Sequence, residues 1–290
     1  MITMYHEYNE ETLRAYCRTG IEALEKWARL IIDRELTIEY GQNYFDSKME
    51  NGDPVVKKEI NDKATNMMMK HPDRFKRKID TLFLDEIIYL MCKVQLYKKV
   101  FKKVLDEIYP DGHAEARTYL NRLVPIRNKL SHSNPISIRE AEKAICYSHD
   151  FIDGVKSYFV KIGETQMYNV PQALKMSDSF GSEYILENND ILEIVNIVDE
   201  KKTLRMFNVG DRVSFRLTMD PSFQEDSYEI SWQVKDGVCL KGKEITFDIT
   251  EDMVGTYHHI LCSIKQNKKW HKYGFVDQRF TVVIQVLPPQ

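Results

Sequence analysis

The chain has 290 residues, which is enough for two domains, and its hydrophobic fraction of 43% and charged fraction of 29% are those of an ordinary globular protein. A formal net charge of −3 argues against a generally basic nucleic-acid coat, although it leaves room for a local basic groove. The polar, acidic start and the lack of any apolar run of about 18 residues predict a cytoplasmic protein without a leader or a membrane partner.

The five cysteines are dispersed and include no C-x-x-C pair. This pattern favours reduced, mostly buried thiols over a disulfide framework or a cysteine zinc site. The cysteines are Cys17, Cys92, Cys146, Cys239 and Cys262. No other cluster predicts a metal ion, so no metal and no cofactor is expected.

Residues 1–165 carry apolar side chains at helical spacing and predict an all-α bundle. The first helix is predicted over 10–36, and a short helix is predicted over 55–70 after a loop at "ENGDP". A single long helix is predicted over 79–108. Its predicted buried face consists of Phe83, Ile87, Leu90, Val94, Tyr97, Phe101, Val104 and Ile108.

Two further helices are predicted before the first half ends. The pattern over 114–132 is helical, and Pro125 inside it should kink or loosen the helix because it has no N–H to donate. In "SIRE", Ser137 is predicted as the N-cap and Glu140 as the third helical residue, which together form a capping box. This last helix is predicted to end near Ile162.

Residues 166–290 change to an alternation of period two, which is typical of an antiparallel β-sandwich of seven or eight strands. The runs "RVSFRLTM", "YEISWQV", "EITFDI" and "RFTVVIQVL" place their apolar residues on one face. The inward residues are predicted to be Val213, Phe215, Leu217, Met219, Ile230, Trp232, Val234, Ile245, Phe247, Ile249, Phe280, Val282, Ile284 and Val286.

The second half resembles an immunoglobulin-like sandwich. Trp232 falls where that fold has its core tryptophan, and "DMVGTYHHILC" resembles the tyrosine-corner turn, with Asp252, Gly255 and Tyr257 near its key positions. The spacing from Asp252 to Tyr257 is one residue longer than in antibodies. The bridging cysteines are replaced by Phe215 and by a residue at 259 or 260.

One short stretch, "IRNKLSHSNP" at 126–135, combines groups suited to phosphate chemistry. The Arg127 guanidinium can bind two phosphate oxygens, and an imidazole such as that of His132 exchanges protons near neutral pH. Asn128 and His132 share a helix face, while Arg127 lies about 100° around the helix from Asn128. The alternative is an ordinary helix end at which the histidine caps carbonyls.

Cleavage of RNA by the ribose 2′-OH benefits from two proton transfers, whereas one copy of the stretch supplies one histidine. A two-fold dimer with this helix at its interface would bring two histidines and two arginines into one cleft.

The stretch resembles the signature of HEPN domains (higher eukaryotes and prokaryotes nucleotide-binding), which is an arginine, a polar residue and a histidine after four to six intervening residues. Here these are Arg127, Asn128 and His132, separated by "NKLS" and located on a late helix of a bundle. "LEKWARLIIDREL" and "YGQNYF" also resemble bacterial members, so the resemblance covers roughly residues 10–162.

The resemblance implies a homodimeric, metal-independent endoribonuclease that leaves 2′,3′-cyclic phosphate and 5′-hydroxyl ends. Such members serve as toxins or anti-phage effectors. By this resemblance His132 is the general acid and base, Arg127 the phosphate clamp and Asn128 an orienting group. The sandwich would recognise RNA, a trigger or a protein partner. The alternative is a non-catalytic adaptor or nucleotide sensor, as in HEPN members without nuclease activity.

Two basic stretches and one hairpin tip have open interpretations. The first stretch is Lys98, Lys99, Lys102 and Lys103, and the second is Lys70, Arg74, Lys76, Arg77 and Lys78. Each either follows a nucleic-acid backbone or forms a solvated surface. Trp270 and Tyr273 in "NKKWHKYG" either contact a partner or a base, or anchor their own loop.

Overall fold

A computed structural model describes residues 9–72, 74–187 and 191–289. The chain divides into two compact units, Met1–Gly163 and Glu164–Gln290, so the observed boundary lies two residues before the predicted one. Unit 1 is helical and unit 2 is built from β-sheets, as the sequence predicted at this level. The start that was expected to lack a leader falls on 1–8, outside the described residues. No helix among those described is both long and apolar enough to cross a bilayer.

Unit 1 is a helical bundle whose longest members, α1 and α8, pack against each other. Trp27 of α1 lies against Phe159 of α8, with 6.2 Å between ring centroids. The helices are α1 (Glu10–Tyr40), α2 (Lys58–Lys70), α3 (Leu84–Met91), α4 (Val94–Leu96), α5 (Lys102–Leu105), α6 (His113–Asn121), α7 (Leu123–Ser131) and α8 (Ile138–Lys161).

The long helix predicted over 79–108 is wrong, because the chain breaks there into α3, α4, a π-helical segment (Tyr97–Phe101) and α5. At the first break, Arg117 donates from Nη2 to the Cys92 carbonyl at 2.8 Å. A side chain distant in the sequence therefore donates the hydrogen bond to a carbonyl at the point where α3 ends. Two residues assigned to the buried face, Phe83 and Val94, are each 40% exposed.

The helix predicted over 114–132 is divided at Arg122 into α6 and α7. Pro125 is the third residue of α7, in the first turn, where a backbone N–H has no partner within the helix. The loosening expected at this proline is therefore found, and it takes the form of a new helix start.

The capping box predicted at the start of α8 is present. The Ser137 side chain accepts from the Glu140 N–H at 3.3 Å, and Glu140 accepts from the Ser137 N–H at 2.8 Å. Glu140 also pairs with Lys129 of α7 at 2.7 Å. The hydrogen bond from Lys129 and that from the Ser137 backbone lower the pKa of Glu140 to about 2. The Glu140 carboxylate thus caps the N-terminus of α8 and also connects α8 to the last turn of α7.

Unit 2 contains a short helix and two sheets. The helix is α9 (Thr165–Tyr168) and the described strands are β1 (Ala173–Asp178), β2 (Glu183–Ile185), β3 (Glu193–Asn196), β4 (Met206–Phe207), β5 (Arg212–Met219), β6 (Tyr228–Lys235), β7 (Val238–Lys241), β8 (Glu244–Asp248), β9 (Gly255–Gln266) and β10 (Gln278–Val286). One sheet has the order β2-β1-β5-β8, and the other has the order β3-β10-β9-β6-β7, with β4 also paired to β10.

The second sheet is mixed, which corrects the prediction of a purely antiparallel unit. β3 and β4 run parallel to β10, whereas β9 runs antiparallel to it. The predicted inward residues are buried except Phe247, which is half-buried. Trp232 is fully buried, lies parallel to Phe215 at 6.0 Å between ring centroids, and donates from its indole N–H to the Gly242 carbonyl at 3.0 Å.

The tyrosine corner expected at Tyr257 is wrong. Its side chain is 65% exposed because it lies on the outward face of β9. Of the two residues considered for the second cysteine position, Ile260 is buried and His259 is exposed. The Phe215 and Ile260 side chains therefore occupy the core as apolar groups.

All five cysteines are free thiols. Cys17, Cys92 and Cys262 are buried, whereas Cys146 and Cys239 are exposed. The predicted burial is found for three of the five cysteines.

Candidate functional site

The candidate site lies at the end of α7 that leads into α8. Leu123, Ile126 and Leu130 are buried and fix the rotation of α7 in the bundle. This rotation leaves Asn128 exposed and Arg127 half-exposed. Two groups that the sequence singled out therefore reach solvent from one short helix.

The end of α7 is fixed by backbone hydrogen bonds. Asn134 donates its N–H to the Lys129 carbonyl at 2.9 Å, and Ser133 donates to the Leu130 carbonyl at 3.3 Å. Ser133 has a φ of 56°, so this is a Schellman motif with serine at the position that glycine usually occupies. Arg18 of α1 donates from Nη2 to the Leu130 carbonyl at 3.1 Å, which ties the same turn to α1.

His132 is the last residue of this turn, and its backbone N–H donates to the Asn128 carbonyl at 3.2 Å. Its side chain is exposed. Among the described residues its imidazole has no hydrogen-bond or ion-pair partner, so the ring does not cap a helix carbonyl. The imidazole is thus open to solvent and to a ligand.

Arg127 is held through one edge of its guanidinium. Its Nε donates to Glu25 at 3.2 Å, and its side chain is 28% exposed. Within the part of the chain that the structure describes, neither Nη atom has a hydrogen-bond partner. The two-nitrogen edge that is suited to a phosphate is therefore open.

Glu25 is shared between two arginines. Its other oxygen accepts from Arg29 at 2.8 Å, and Arg29 also donates from Nη2 to the Leu82 carbonyl at 2.7 Å. Because the Glu25 side chain is only 8% exposed, water screens this charge poorly. The arrangement orients Arg127 and also offsets part of its positive charge.

An aromatic ring completes the surroundings of Arg127. The Arg127 Cζ lies 5.4 Å from the centroid of the Phe83 ring, and the Lys63 Nζ lies 3.5 Å from the same centroid. Lys63 also pairs with Glu86 at 2.7 Å. These distances are within the range of cation–π attraction, so Phe83 helps to position both cations.

The structure relates the three predicted site residues only in part. Asn128 and His132 are joined by a backbone hydrogen bond and follow each other along one helix face. Arg127 is directed to α1 and to the residue before α3. No hydrogen bond or ion pair between the side chains of these three residues occurs among the described contacts.

Sequence reasoning missed Glu25, Arg29, Lys63 and Phe83. A signal existed for one of them, because Glu25 is a carboxylate on the apolar stripe of α1, next to the buried Leu24 and Trp27. Buried carboxylates generally need a charged or hydrogen-bonding partner. The partner could not be read from the sequence, since Arg127 is 102 residues away.

Part of each basic stretch is paired with carboxylates. Lys99 pairs with Glu39 at 2.9 Å and with Glu50 at 2.6 Å, and Lys103 pairs with Glu35 at 2.6 Å. Arg77 pairs with Asp33 at 2.9 Å and with Asp80 at 2.8 Å. For the paired residues, these contacts favour the interpretation as a solvated surface.

No group of three or more His, Cys, Asp or Glu side chains in the described ranges is arranged to hold a metal ion.

The chain matches no protein-family model, no curated protein and no solved structure.

Proposed function

We propose that the chain is a metal-independent endoribonuclease of the HEPN type, which acts as a homodimer on RNA. The observation that carries this proposal is that reactive side-chain groups at the end of α7 are accessible to solvent. The exposed imidazole of His132 lies five residues from a guanidinium that Glu25 holds by a single edge. In this proposal both groups contact one RNA molecule at the surface of the bundle.

In the proposed reaction the ribose 2′-oxygen attacks the adjacent phosphorus, and the bond from phosphorus to the 5′-oxygen breaks. One imidazole accepts the 2′-OH proton, while an imidazolium from the second copy gives a proton to the leaving oxygen. Arg127 binds the phosphate oxygens, whose negative charge increases in the transition state. Asn128 orients the substrate. The products are a 2′,3′-cyclic phosphate and a 5′-hydroxyl.

The contacts of Arg127 support a clamp role. A guanidinium that is already oriented by Glu25 and Phe83 loses little conformational freedom when it binds a phosphate. Glu25 and Phe83 are positioning residues in this proposal.

The test is cleavage of mixed RNA in EDTA by the wild type, His132→Ala and Arg127→Ala. We expect both substitutions to reduce cleavage by at least about a hundredfold, because each removes a group that acts in the transition state. Melting curves should stay close to that of the wild type. The products should carry 2′,3′-cyclic phosphate ends.

Two matched variants control for loss of a surface histidine or arginine. His259→Ala removes an exposed histidine in unit 2, and Arg212→Ala removes an exposed arginine of β5. Both should cleave like the wild type. Cleavage that survives in His132→Ala would contradict the proposed role of the imidazole, and a collapsed melting curve for Arg127→Ala would mark Arg127 as structural.

A second candidate function follows from Glu25. Because its carboxylate offsets part of the Arg127 charge, the site also suits a non-catalytic adaptor or a sensor that binds a nucleotide through Arg127. In that case a nucleotide should protect the fold of the wild type against heat, the RNA should stay intact, and Arg127→Ala should lose the protection.

The biological role follows from the nuclease proposal. We propose a cytoplasmic toxin or anti-phage effector, in which the immunoglobulin-like unit 2 recognises RNA, a trigger or a protein partner. Induced expression in a bacterial host should arrest growth, and His132→Ala should relieve the arrest. Growth arrest by both the wild type and His132→Ala would show that the toxicity does not require RNA cleavage.

A further inference from the structure

The connection between β9 and β10, "NKKWHKYGFVD" at 267–277, combines positive charge with exposed rings. We refer to residues 265–279, which add the adjoining ends of both strands, as the Trp270 loop. Its cationic residues are Lys265, Lys268, Lys269, Lys272 and Arg279. Lys265, Lys268 and Lys269 are exposed. The loop is thus a local basic surface, although residues 166–290 as a whole carry 14 Lys and Arg against 18 Asp and Glu.

A buried carboxylate fixes the loop from inside. Asp277 is 0% exposed and accepts from the Gln266 N–H at 2.6 Å, from the Lys272 N–H at 3.0 Å and from His271 Nδ1 at 3.0 Å. Gly274 has a φ of 81° and donates its N–H to the His271 carbonyl at 3.1 Å. With these bonds the loop has a defined conformation and loses little entropy when it binds a ligand.

The rings of the loop are exposed on this fixed framework. Trp270 is 36% exposed and Phe275 is 48% exposed. A cation lies near each ring, since Lys268 Nζ is 4.9 Å from the Trp270 ring and Arg279 Cζ is 4.6 Å from the Phe275 ring. The loop therefore alternates flat apolar faces with positive charges over a short surface.

We propose that the Trp270 loop binds single-stranded nucleic acid. Rings take stacked bases, and lysines placed between them take the phosphates that link those bases. An acidic protein segment would use the lysines, but its carboxylates would not stack on the exposed rings. This site is in unit 2 and does not depend on the proposed nuclease site.

Neighbouring carboxylates limit the site on one side. Glu229 is the cross-strand partner of Lys265, and the charge of Glu193 acts on Lys272. Lys268 and Lys269, which flank Trp270 on its N-terminal side, have no ion-pair partner among the described contacts. We therefore assign the main contacts to these three residues.

The tryptophan content gives a direct readout. Of the three tryptophans, Trp27 and Trp232 are 1% and 0% exposed, so only Trp270 can stack on a ligand. We would titrate the full chain with a single-stranded oligothymidylate of about 12 nucleotides, a length within the usual site sizes. The DNA lacks a 2′-OH and cannot be cleaved by the reaction proposed above. We expect quenching of tryptophan fluorescence that saturates together with the anisotropy of a labelled oligonucleotide.

Substitutions distinguish the contribution of base stacking to nucleic-acid binding from the contribution of the lysine charges. Trp270→Ala should weaken binding by about tenfold or more, whereas Trp270→Phe should keep most of the affinity and lose the quenching. Lys268→Gln with Lys269→Gln should lower the salt dependence by about 1.4 in the slope of log affinity against log salt. Lys201→Gln, which removes an exposed lysine elsewhere in unit 2, should change neither.

Three outcomes would overturn the proposal. They are no binding by the wild type, unchanged affinity in Trp270→Ala, and equal quenching by polyglutamate, which would indicate an acidic protein partner instead. Arg127→Ala should bind and quench like the wild type. A result in which Arg127→Ala loses binding while Trp270→Ala keeps it would place the nucleic acid at α7 and reject the Trp270 loop.

Discussion

The end of α7 depends on one residue with unusual backbone geometry, Ser133. Its positive φ places it in a region that L-residues with a side chain rarely adopt, since the Cβ approaches the following carbonyl oxygen. The Schellman hydrogen bonds hold it there. The position of His132 next to it is therefore maintained at a conformational cost.

Ser133→Gly should stabilise the fold by about 0.5–1 kcal/mol, because glycine adopts this conformation without steric strain and loses only part of the gain to its greater freedom when unfolded. Urea unfolding followed by far-UV circular dichroism measures the change. The matched variant Ser131→Gly, inside the last turn of α7, should instead destabilise by about 0.5 kcal/mol, because glycine has a lower helix propensity than serine. A loss of stability in Ser133→Gly would show that the hydroxyl outweighs the strain.

At the scale of residues, local signals were predictable and distant partners were not. The capping box of Ser137 and Glu140 follows from four consecutive letters, and the structure confirms it. The contact of Arg127 with Glu25 joins α7 to α1, and the exposure of Phe83 results from its position just before α3 starts. The contact of Arg127 with Glu25 does not depend on the sequence around Arg127. The roles assigned to Arg127, Asn128 and His132 stay predictions.

The elements show the same division between local pattern and tertiary contact. The apolar spacing over 79–108 continues through the break at Cys92, because buried residues occur on both sides of it. Where α3 ends, the Cys92 carbonyl accepts a hydrogen bond from Arg117, 25 residues away, which a periodic pattern cannot indicate. The apolar period of the sequence therefore predicts which face of a helix is buried better than it predicts whether the helix is unbroken.

At Gly154 in α8, the helix propensity of a residue can be compared with its packing against Ile108. In an isolated helix alanine is about 1 kcal/mol better than glycine. Here a Cβ at Gly154 would overlap the Cγ1 and Cδ1 atoms of Ile108. Overpacking costs about 1–3 kcal/mol, so Gly154→Ala should destabilise the protein by about 1 kcal/mol in urea unfolding.

A double-mutant cycle isolates this contact. In an Ile108→Ala background the two overlapping atoms are absent, and Gly154→Ala should then stabilise by about 1 kcal/mol. If Gly154→Ala stabilises the wild type as well, the Ile108 side chain moves aside at little cost.

At the scale of the whole molecule, the sequence predicted the change from helices to strands but not the complete strand arrangement. Alternating patterns indicated the long strands β5, β6 and β10, whose inward residues are buried. The parallel pairing of β3 and β4 with β10 joins segments far apart in the chain. Neither short strand has an alternation long enough to identify it.

The proposed dimer makes a prediction at this scale. Ile138 is the first residue of α8, is 45% exposed, and lies in the turn that Glu140 joins to α7. Ile138→Asp should convert dimers to monomers in sedimentation velocity and abolish RNA cleavage. The fold should stay intact because an acidic residue is favourable at a helix N-terminus.

A control at the opposite end of the same helix tests whether the position matters. Val160 is 58% exposed in the last turn of α8, where a basic residue is favourable. Val160→Lys should remain dimeric and active. Dimers that persist in Ile138→Asp would locate the subunit contact elsewhere.

The pairing of β10 has a consequence for how the molecule is made. This strand hydrogen-bonds with β9, β3 and β4, and it follows all of them in the chain. During translation the ribosome releases every helix of unit 1 before it releases β10, so the bundle can fold while the larger sheet still lacks a central member. Until Val286 has emerged, β3 and β4 have no strand to join, and a nascent chain stalled before that point would present unpaired edges to chaperones.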